Sequence, residues 1–220
     1  MRLLDLGCGP GSITVGLAEL VAPGETTGFD LHPGLPEGAA ESAVTLVPGD
    51  VHELPFEDAT FDAIFSSAML QHLPDPIVAL REARRVARPG AVIGLVDADW
   101  DGQLLWPTNS LLERSFDVLR ELRSGTSPYV GKQLRSLLVE AGFERCESAA
   151  RVDHHGTPEE VAGVGTYTAG LMSGQQETIV DRGLASAEEV TAMAQAWKDW
   201  SVQPGGFLAL FWVEAVGWAG

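Results

Sequence analysis

Three glycines at alternate positions follow a short apolar run at the start of the chain. The segment reads Leu3-Leu4-Asp5-Leu6-Gly7-Cys8-Gly9-Pro10-Gly11 and leads into a helical pattern. Glycine has no Cβ, so the backbone can turn sharply there and approach a ligand closely. The N-terminus of the following helix presents unpaired N–H groups, which suit an anionic group. A tight strand–helix turn without a ligand needs the same residues, so the segment alone leaves both interpretations open.

Two further aspartates follow the next two apolar runs. Asp30 lies 19 residues beyond Gly11 (30 − 11), and a carboxylate there can accept hydrogen bonds from both hydroxyls of a ribose. Asp50 follows the third run within Gly49-Asp50-Val51, where it can accept a hydrogen bond from an adenine amino group. Each aspartate alone is more often a loop residue or a helix cap. Together with Asp5 they predict a crevice for an adenosine-containing ligand at the carboxyl ends of three strands.

The elements that position these carboxylates follow from the alternation of apolar runs and helical spacing. This alternation predicts an α/β fold with a mainly parallel sheet. The predicted strands are Met1–Leu6, Thr26–Asp30, Val44–Val47, Phe61–Ser66, Ala91–Val96, Phe143–Asp153 and Phe207–Val216. The predicted helices are Ser12–Val21 with Ser12 as N-cap, Asp75–Ala87, Asn109–Arg123, Gly131–Ala141, Pro158–Met172 and Ser186–Trp200. Thr157 with Glu160, and Ser186 with Glu189, have the spacing of capping boxes.

The glycine turn belongs to a set of motifs in the first half of the chain. The others are Gly28-Phe29-Asp30, Gly49-Asp50-Val51 with Leu54-Pro55-Phe56, Phe61-Asp62-Ala63-Ile64-Phe65-Ser66, Gln71-His72-Leu73-Pro74-Asp75-Pro76 and Val86-Ala87-Arg88-Pro89-Gly90. With this set the chain resembles a class I S-adenosylmethionine-dependent methyltransferase. It looks most like the small-molecule branch that includes ubiquinone- and menaquinone-biosynthesis methyltransferases. The resemblance implies a Rossmann-like fold, with a seven-stranded, mainly parallel sheet in the order 3-2-1-4-5-7-6 and helical insertions late in the chain.

The resemblance also implies the cofactor and the residues that bind it. S-adenosylmethionine would be the methyl donor and S-adenosylhomocysteine the product. Asp5 would help to hold the methionyl end, Asp30 the ribose and Asp50 the adenine edge. The full implied set is Asp5, Gly7, Cys8, Gly9, Asp30, Leu31, Gly49, Asp50, Val51, Ser66, Ser67 and Gln71.

The sequence departs from the family in two places. Members usually have a helix or more before the first strand, whereas here the strand pattern begins at residue 2. The stretch from Asp30 to Asp50 is short for a strand, a full helix and another strand. Its prolines and glycines limit the intervening helix to Glu37–Ser42.

Other functions remain as alternatives at this point. A nicotinamide-dependent oxidoreductase would need G-x-G-x-x-G, but Ser12 occupies the place of the third glycine. A methyltransferase-like fold could bind the cofactor and perform other chemistry, or only bind ligand. A non-catalytic interaction protein would retain the three carboxylates by coincidence.

Histidine is the obvious candidate for a base if the acceptor is a hydroxyl, since its pKa lies near 7. His72 follows the fourth predicted strand, where the resemblance puts the acceptor, and is therefore the candidate catalytic residue. Packing against the helix that follows is the other interpretation. His154 is a second substrate-side candidate, although His154 and His155 face opposite sides of a strand and at most one faces a pocket. His32 and His52 are expected near the adenosine edge.

Carboxylates and tryptophans follow the fifth predicted strand. Asp97-Ala98-Asp99-Trp100-Asp101-Gly102 resembles the start of a calcium loop, but Thr108 stands where the bidentate glutamate is needed. We therefore expect no metal, and a solvated loop in which Asp97 or Trp100 could contact substrate. Trp100 and Trp106, with the late helices, could cover an apolar pocket, and core packing is the other interpretation. This arrangement favours a small apolar or aromatic acceptor.

Composition limits the partners and the compartment. Among 220 residues, 14 are Lys or Arg and 31 are Asp or Glu, a net charge of −17. Nucleic acids and anionic membranes are bound through basic residues, so neither is expected as a partner, and no run reaches the ~18 apolar residues of a membrane helix. Cys8 and Cys146 cannot build a disulfide framework, which favours the cytoplasm. We expect one domain over 1–220, with a cofactor half at 1–99 and substrate-side additions at 100–130 and 155–204, and a homodimer stays open.

Overall fold

A seven-stranded sheet carries the carboxylates that the sequence singles out. The computed structural model describes residues 1–39 and 44–220. The strands are β1 Arg2–Leu6, β2 Glu25–Asp30, β3 Val44–Pro48, β4 Phe61–Ser67, β5 Ala87–Trp106, β6 Phe143–His155 and β7 Phe207–Ala219. Their order in the sheet is β3-β2-β1-β4-β5-β7-β6. The order implied by the resemblance is therefore confirmed.

Helices connect the strands and extend the second half of the chain. They are α1 Ser12–Val21, α2 Pro76–Val86, α3 Ser110–Leu122, α4 Leu134–Glu140, α5 Pro158–Gly174, α6 Gln176–Asp181 and α7 Ala187–Trp200. Short 3-10 turns cover Leu70–His72 and Gly131–Gln133. Both predicted capping boxes are present, with Thr157 and Ser186 at the N-caps of α5 and α7. These caps satisfy N–H groups that a helix start otherwise leaves unpaired.

Parallel pairing brings the three carboxylates to one edge. The β1 strand pairs in parallel with β2 and β4, so that Asp5 lies opposite Gly28 on one side and Phe65 on the other. The β2 strand pairs in parallel with β3, which sets Asp30 opposite Pro48, two residues before Asp50. Parallel strands end at a common edge, and the loops that follow them line one crevice.

The chain divides into two compact units, each with its own apolar core. The first comprises Met1–Asp99, Tyr129–Arg151 and Trp212–Gly220, and the second Trp100–Pro128 and Val152–Phe211. In the first unit the fully buried side chains include Leu4, Phe29 and Ile93. In the second, Trp197 and Trp200 are buried and lie edge to face with centroids 5.4 Å apart. The prediction of a single domain stays a prediction.

Several local predictions are corrected or fall outside the described residues. The segment Asp97–Gly102 is part of β5 and not a solvated loop, because the strand runs ten residues beyond its predicted end. Ser12 is the first helical residue, and the N-cap of α1 is Gly11 at φ 73° without a side-chain cap. Residues 37–39 of the predicted helix Glu37–Ser42 form no helix, and its remainder lies outside the described residues. Over residues 1–39 and 44–220, no helix has the length and apolarity needed to cross a membrane.

Candidate functional site

The glycine turn between β1 and α1 takes a conformation that other residues adopt at a cost. Gly7, Gly9 and Gly11 all have positive φ, at 78°, 51° and 73°. A Cβ on Gly7 would lie 2.6 Å from the Cβ of Met69 and closer still to its Cγ, so Gly7 also needs its small size. A Cβ on Gly9 would meet no atom within 4 Å. The backbone at Gly9 therefore faces open space, as a site of close approach to a ligand requires.

Asp30 connects the glycine turn to the loop after β2 through hydrogen bonds from both segments to its carboxylate. Its Oδ2 accepts a hydrogen bond from the Gly9 N–H at 3.0 Å, and its Oδ1 accepts one from the His32 N–H at 3.0 Å. A carboxylate has about four acceptor sites. Each Asp30 oxygen therefore keeps capacity for a ligand hydroxyl after holding the backbone.

Asp5 is a buried carboxylate at the end of β1. It is 2% exposed, and its Oδ2 accepts a hydrogen bond from the Thr14 hydroxyl of α1 at 2.6 Å. Burial raises the pKa of Asp5 above its usual range, the Thr14 hydrogen bond opposes that shift, and the nearby Asp30 charge adds to it. A cationic group in front of Asp5 would stabilise the ionised carboxylate and so offset the effects of burial and of the Asp30 charge.

Asp50 lies on the exposed loop after β3 and is organised by His52. Its Oδ1 accepts a hydrogen bond from the His52 N–H at 2.9 Å and lies 2.6 Å from the His52 Nδ1. The backbone hydrogen bond, followed by the side-chain one, lowers the pKa of Asp50. Asp50 therefore stays ionised at neutral pH and can accept a hydrogen bond from a ligand amino group.

These groups line one cavity of about 560 Å³. Ten of the residues predicted for cofactor or substrate are in its wall: Asp5, Gly7, Cys8, Gly9, Asp30, Leu31, Asp50, Val51, Ser67 and His72. His52, expected near the adenosine edge, is there too. Sequence reasoning missed Pro10, Ser12, Ile13, Ala68, Met69 and Leu73. Their place directly after β1 and β4 was the available signal, since loops at that edge line the crevice.

Three predicted residues do not line the cavity. Gly49 packs its backbone against Phe29, where a Cβ would lie 2.6 Å from the ring. Ser66 is buried, and its hydroxyl is without a hydrogen-bond partner in the described structure. Gln71 is buried in the Leu70–His72 turn.

The Cys8 thiol in the cavity wall is not a nucleophile at neutral pH. Burial, followed by the charges of Asp5 and Asp30, raises the pKa of Cys8 to about 12. Thiolates, not thiols, attack electrophiles and bind metals. Cys8 therefore contributes a small apolar surface to the site.

The remaining substrate-side predictions concern the second unit and stay predictions. The guanidinium carbon of Arg123 lies over the Trp100 ring, 3.9 Å from the ring centroid. Trp106 is 67% exposed. His154 lies near the end of β6.

Comparisons with known proteins agree with this geometry. A family described as "Methyltransferase domain" matches residues 4–95. An uncharacterized methyltransferase of Schizosaccharomyces pombe is 29% identical over 219 residues, covering 90% of this chain and 77% of that protein. Demethylmenaquinone methyltransferase of Staphylococcus aureus is 33% identical over 162 residues, covering 64% of this chain and 67% of that protein.

A solved structure supports the fold over nearly the whole chain. It is phosphoethanolamine N-methyltransferase 2 of Haemonchus contortus, in complex with phosphomonomethylethanolamine and S-adenosylhomocysteine. The TM-score is 0.58 at 18% identity, and the match covers 99% of this chain and 48% of that one. The chain thus spans about half the length of that methyltransferase.

Proposed function

Since the chain belongs to the class I S-adenosylmethionine-dependent methyltransferases, we propose that it methylates a small apolar or aromatic acceptor by in-line displacement. The observation that carries the proposal is the 560 Å³ cavity, which joins the glycine turn, three carboxylates and His72 at one edge of a parallel sheet. Its volume lies within the range of roughly 300–1,000 Å³ that is typical of small-molecule sites.

The residues present fit the cofactor. The open backbone at Gly9 leaves room for close approach, and Asp30 keeps acceptor capacity for ribose hydroxyls. Asp5 offers a buried carboxyl group to a cationic group, and Asp50 offers an ionised acceptor to an adenine amino group. When bound, S-adenosylmethionine supplies a methyl group on a positively charged sulfur that can leave as a neutral thioether.

The chemistry of the acceptor side supports an apolar acceptor. Met69 and Leu73 flank His72 in the cavity wall, and Ala68 precedes them. Such side chains exclude water and favour an apolar ring or chain over a strongly hydrated group. An electrophilic methyl group needs an electron-rich partner, such as an ionised hydroxyl or the ring carbon of a hydroquinone.

We assign His72 the task of accepting the proton that the acceptor loses. The new bond forms between the acceptor atom and the methyl carbon, the sulfur–methyl bond breaks with its electron pair left on sulfur, and the acceptor proton passes to the imidazole. Alignment of the reactants can contribute roughly 7–11 kcal/mol, and a positioned base typically contributes 10²–10⁴-fold.

The partner and compartment follow from charge and cysteines. A net charge of −17 argues for a small-molecule acceptor and against a nucleic acid. Cys8 and Cys146 are both free and buried, which suits the reducing cytoplasm. Sedimentation of the purified chain would decide between a monomer and a homodimer.

Calorimetric titration with S-adenosylmethionine and S-adenosylhomocysteine tests cofactor binding. We expect Asp30→Ala to weaken both by at least about ten-fold, because it loses the Gly9 hydrogen bond and the ribose acceptor together. Asp181→Ala, at an exposed aspartate outside the cavity, is the matched control. Equal affinity in the two variants would contradict the assignment of Asp30.

Transfer of labelled methyl groups to chemically reduced demethylmenaquinone and to simpler hydroquinones tests the acceptor. We expect His72→Ala to lower kcat by about 10² or more, whereas His155→Ala should retain wild-type turnover. Cofactor binding without transfer to any acceptor would instead support a methyltransferase-like fold with another chemistry.

A further inference from the structure

Asp97 is a buried carboxylate that the chemistry above does not use. It lies on β5 and is 1% exposed. Its Oδ2 accepts a hydrogen bond from the Gln71 N–H at 3.2 Å, and its Oδ1 accepts one from the Ala98 N–H at 2.9 Å. The Leu70 N–H also stabilises its charge. Both oxygens are thus occupied by backbone donors, two of which belong to the Leu70–His72 turn.

The charge of Asp97 is costly for the fold. Burial raises its pKa to about 6, and the hydrogen bonds from Gln71, Ala98 and Leu70 oppose that shift. At neutral pH the group is still ionised, because its pKa remains below 7. Burying a carboxylate costs free energy, and hydrogen bonds offset only part of that cost here.

The turn held by Asp97 forms part of the cofactor cavity. Met69, His72 and Leu73 contribute to the cavity wall, while Leu70 and Gln71 are buried. A 3-10 turn is short and leaves its first N–H groups without partners inside the turn. The Asp97 carboxylate supplies those partners from the neighbouring strand.

We propose that Asp97 is a positioning residue for methyl transfer, whose carboxylate holds the Leu70–His72 turn so that His72 faces the cavity. The proposal rests on the assignment of His72 to the acceptor side. Asp97 itself is not in the cavity wall, so it acts through the turn and not on the reacting atoms.

Asp99 provides a matched control on the same strand. Its Oδ2 accepts a hydrogen bond from the Lys132 N–H at 3.0 Å, and its Oδ1 lies 3.6 Å from the Lys132 Nζ. It therefore holds a second 3-10 turn, Gly131–Gln133, by hydrogen bonding, and this turn is not in the cavity wall. Asp97→Asn and Asp99→Asn each remove one negative charge, at positions two residues apart on β5. At Asp97 both oxygens accept from backbone N–H groups, so an asparagine must turn its NH₂ toward one of them. At Asp99 the asparagine oxygen can still accept from the Lys132 N–H, since the other carboxylate oxygen faces the Lys132 Nζ.

The first measurement is amide hydrogen exchange of the full chain, resolved by residue. In Asp97→Asn we expect the Gln71 amide to exchange at least about ten-fold faster, with the Tm within a few degrees of wild type.

The raised pKa of Asp97 explains why the Tm should change little. The ionised carboxylate lowers the stability of the fold increasingly as the pH rises from about 4 to about 6, and the full penalty persists above pH 6. Asparagine removes that penalty, which offsets the lost hydrogen bond. Unchanged exchange at Gln71, or a large fall in Tm with faster exchange throughout the sheet, would overturn the proposal.

The second measurement is the split between kcat and KM for the acceptor found above. We expect Asp97→Asn to lower kcat by about 10–100-fold, since a small displacement of a reacting group has an effect of that order. The KM for S-adenosylmethionine should stay within about three-fold of wild type, because Asp5, Asp30 and Asp50 are untouched. Asp99→Asn should retain wild-type kcat, and an equal loss in both variants would overturn the proposal.

The two experiments separate this proposal from the proposed function. If wild-type protein methylates no acceptor, the proposed function fails, and hydrogen exchange still decides whether Asp97 holds the turn. If His72→Ala retains full activity while Asp97→Asn speeds amide exchange at Gln71, the catalytic assignment of His72 is wrong. The conclusion that Asp97 stabilises the Leu70–His72 turn is then still supported.

Discussion

Gly7→Ala should destabilise the protein considerably more than Gly9→Ala, although both glycines have positive φ and lie two residues apart. The difference comes from what a methyl group would meet. At Gly7 it would lie 2.6 Å from the Cβ of Met69, whose side chain is buried. At Gly9 it would meet nothing within 4 Å.

The magnitudes follow from two effects. A left-handed conformation costs an alanine about 1–2 kcal/mol, and both variants incur this cost. Overpacking at Met69 adds about 1–3 kcal/mol for Gly7→Ala alone, because a Cβ cannot move away without the backbone. We therefore expect the free energy of unfolding to fall by about 2–5 kcal/mol for Gly7→Ala and about 1–2 kcal/mol for Gly9→Ala. The reduced freedom of the unfolded chain is common to both and cancels in the comparison.

Urea unfolding of the two variants and the wild type measures this difference directly. In a cofactor titration we expect the opposite order, with Gly9→Ala losing more affinity than Gly7→Ala. Gly9→Ala should bind the cofactor at least about ten-fold more weakly than wild type, since its methyl group projects where the ligand approaches. Equal destabilisation by the two substitutions would refute the role of Met69. Undiminished cofactor binding by Gly9→Ala would refute the role of the open backbone.

Two further predictions concern the thiol and the helix caps. With its pKa raised to about 12, Cys8 has a far smaller thiolate fraction at pH 8 than an ordinary cysteine. Iodoacetamide followed by mass spectrometry should therefore show negligible labelling in the folded chain and full labelling in urea, and rapid labelling of folded protein at pH 8 would contradict the burial of Cys8. Thr157→Ala and Ser186→Ala should each lower the free energy of unfolding by about 1 kcal/mol, with nearly additive effects in the double variant by urea unfolding. A loss below a few tenths of a kcal/mol would mean that the side-chain caps of α5 and α7 contribute little to the stability of the protein.

The sequence predicted the cofactor side well because the required residue types follow strand ends directly. Asp5 lies one residue before the end of its apolar run, Asp30 ends the next, and Asp50 follows the third. The parallel pairing observed for these strands brings the three carboxylates to one edge. The glycine turn is similarly local, since its positive φ values belong to alternate residues of one loop, Gly7, Gly9 and Gly11. For this part of the site, the positions of the residues relative to the predicted strands were sufficient to predict which of them lie together.

Features that depend on contacts between distant residues were not predictable in this way. The carboxylates at Asp97 and Asp99 suggested a solvated loop, but β5 continues through both residues to Trp106. Nothing in the local pattern indicates that Met69 packs on Gly7, or that Asp97 accepts from Gln71. The six residues of α6 are too few for helical spacing to be recognised.

The charge of the cavity wall has a consequence for turnover. Asp5, Asp30 and Asp50 line it, and the described wall contains no lysine or arginine. The donor carries a positive sulfur, whereas the product is a thioether whose sulfur is neutral. A unit charge about 4 Å from a carboxylate gains roughly 1–4 kcal/mol between water and a protein surface. These carboxylates therefore favour the charged donor over the neutral product, and we expect this preference to decrease as salt screens the wall.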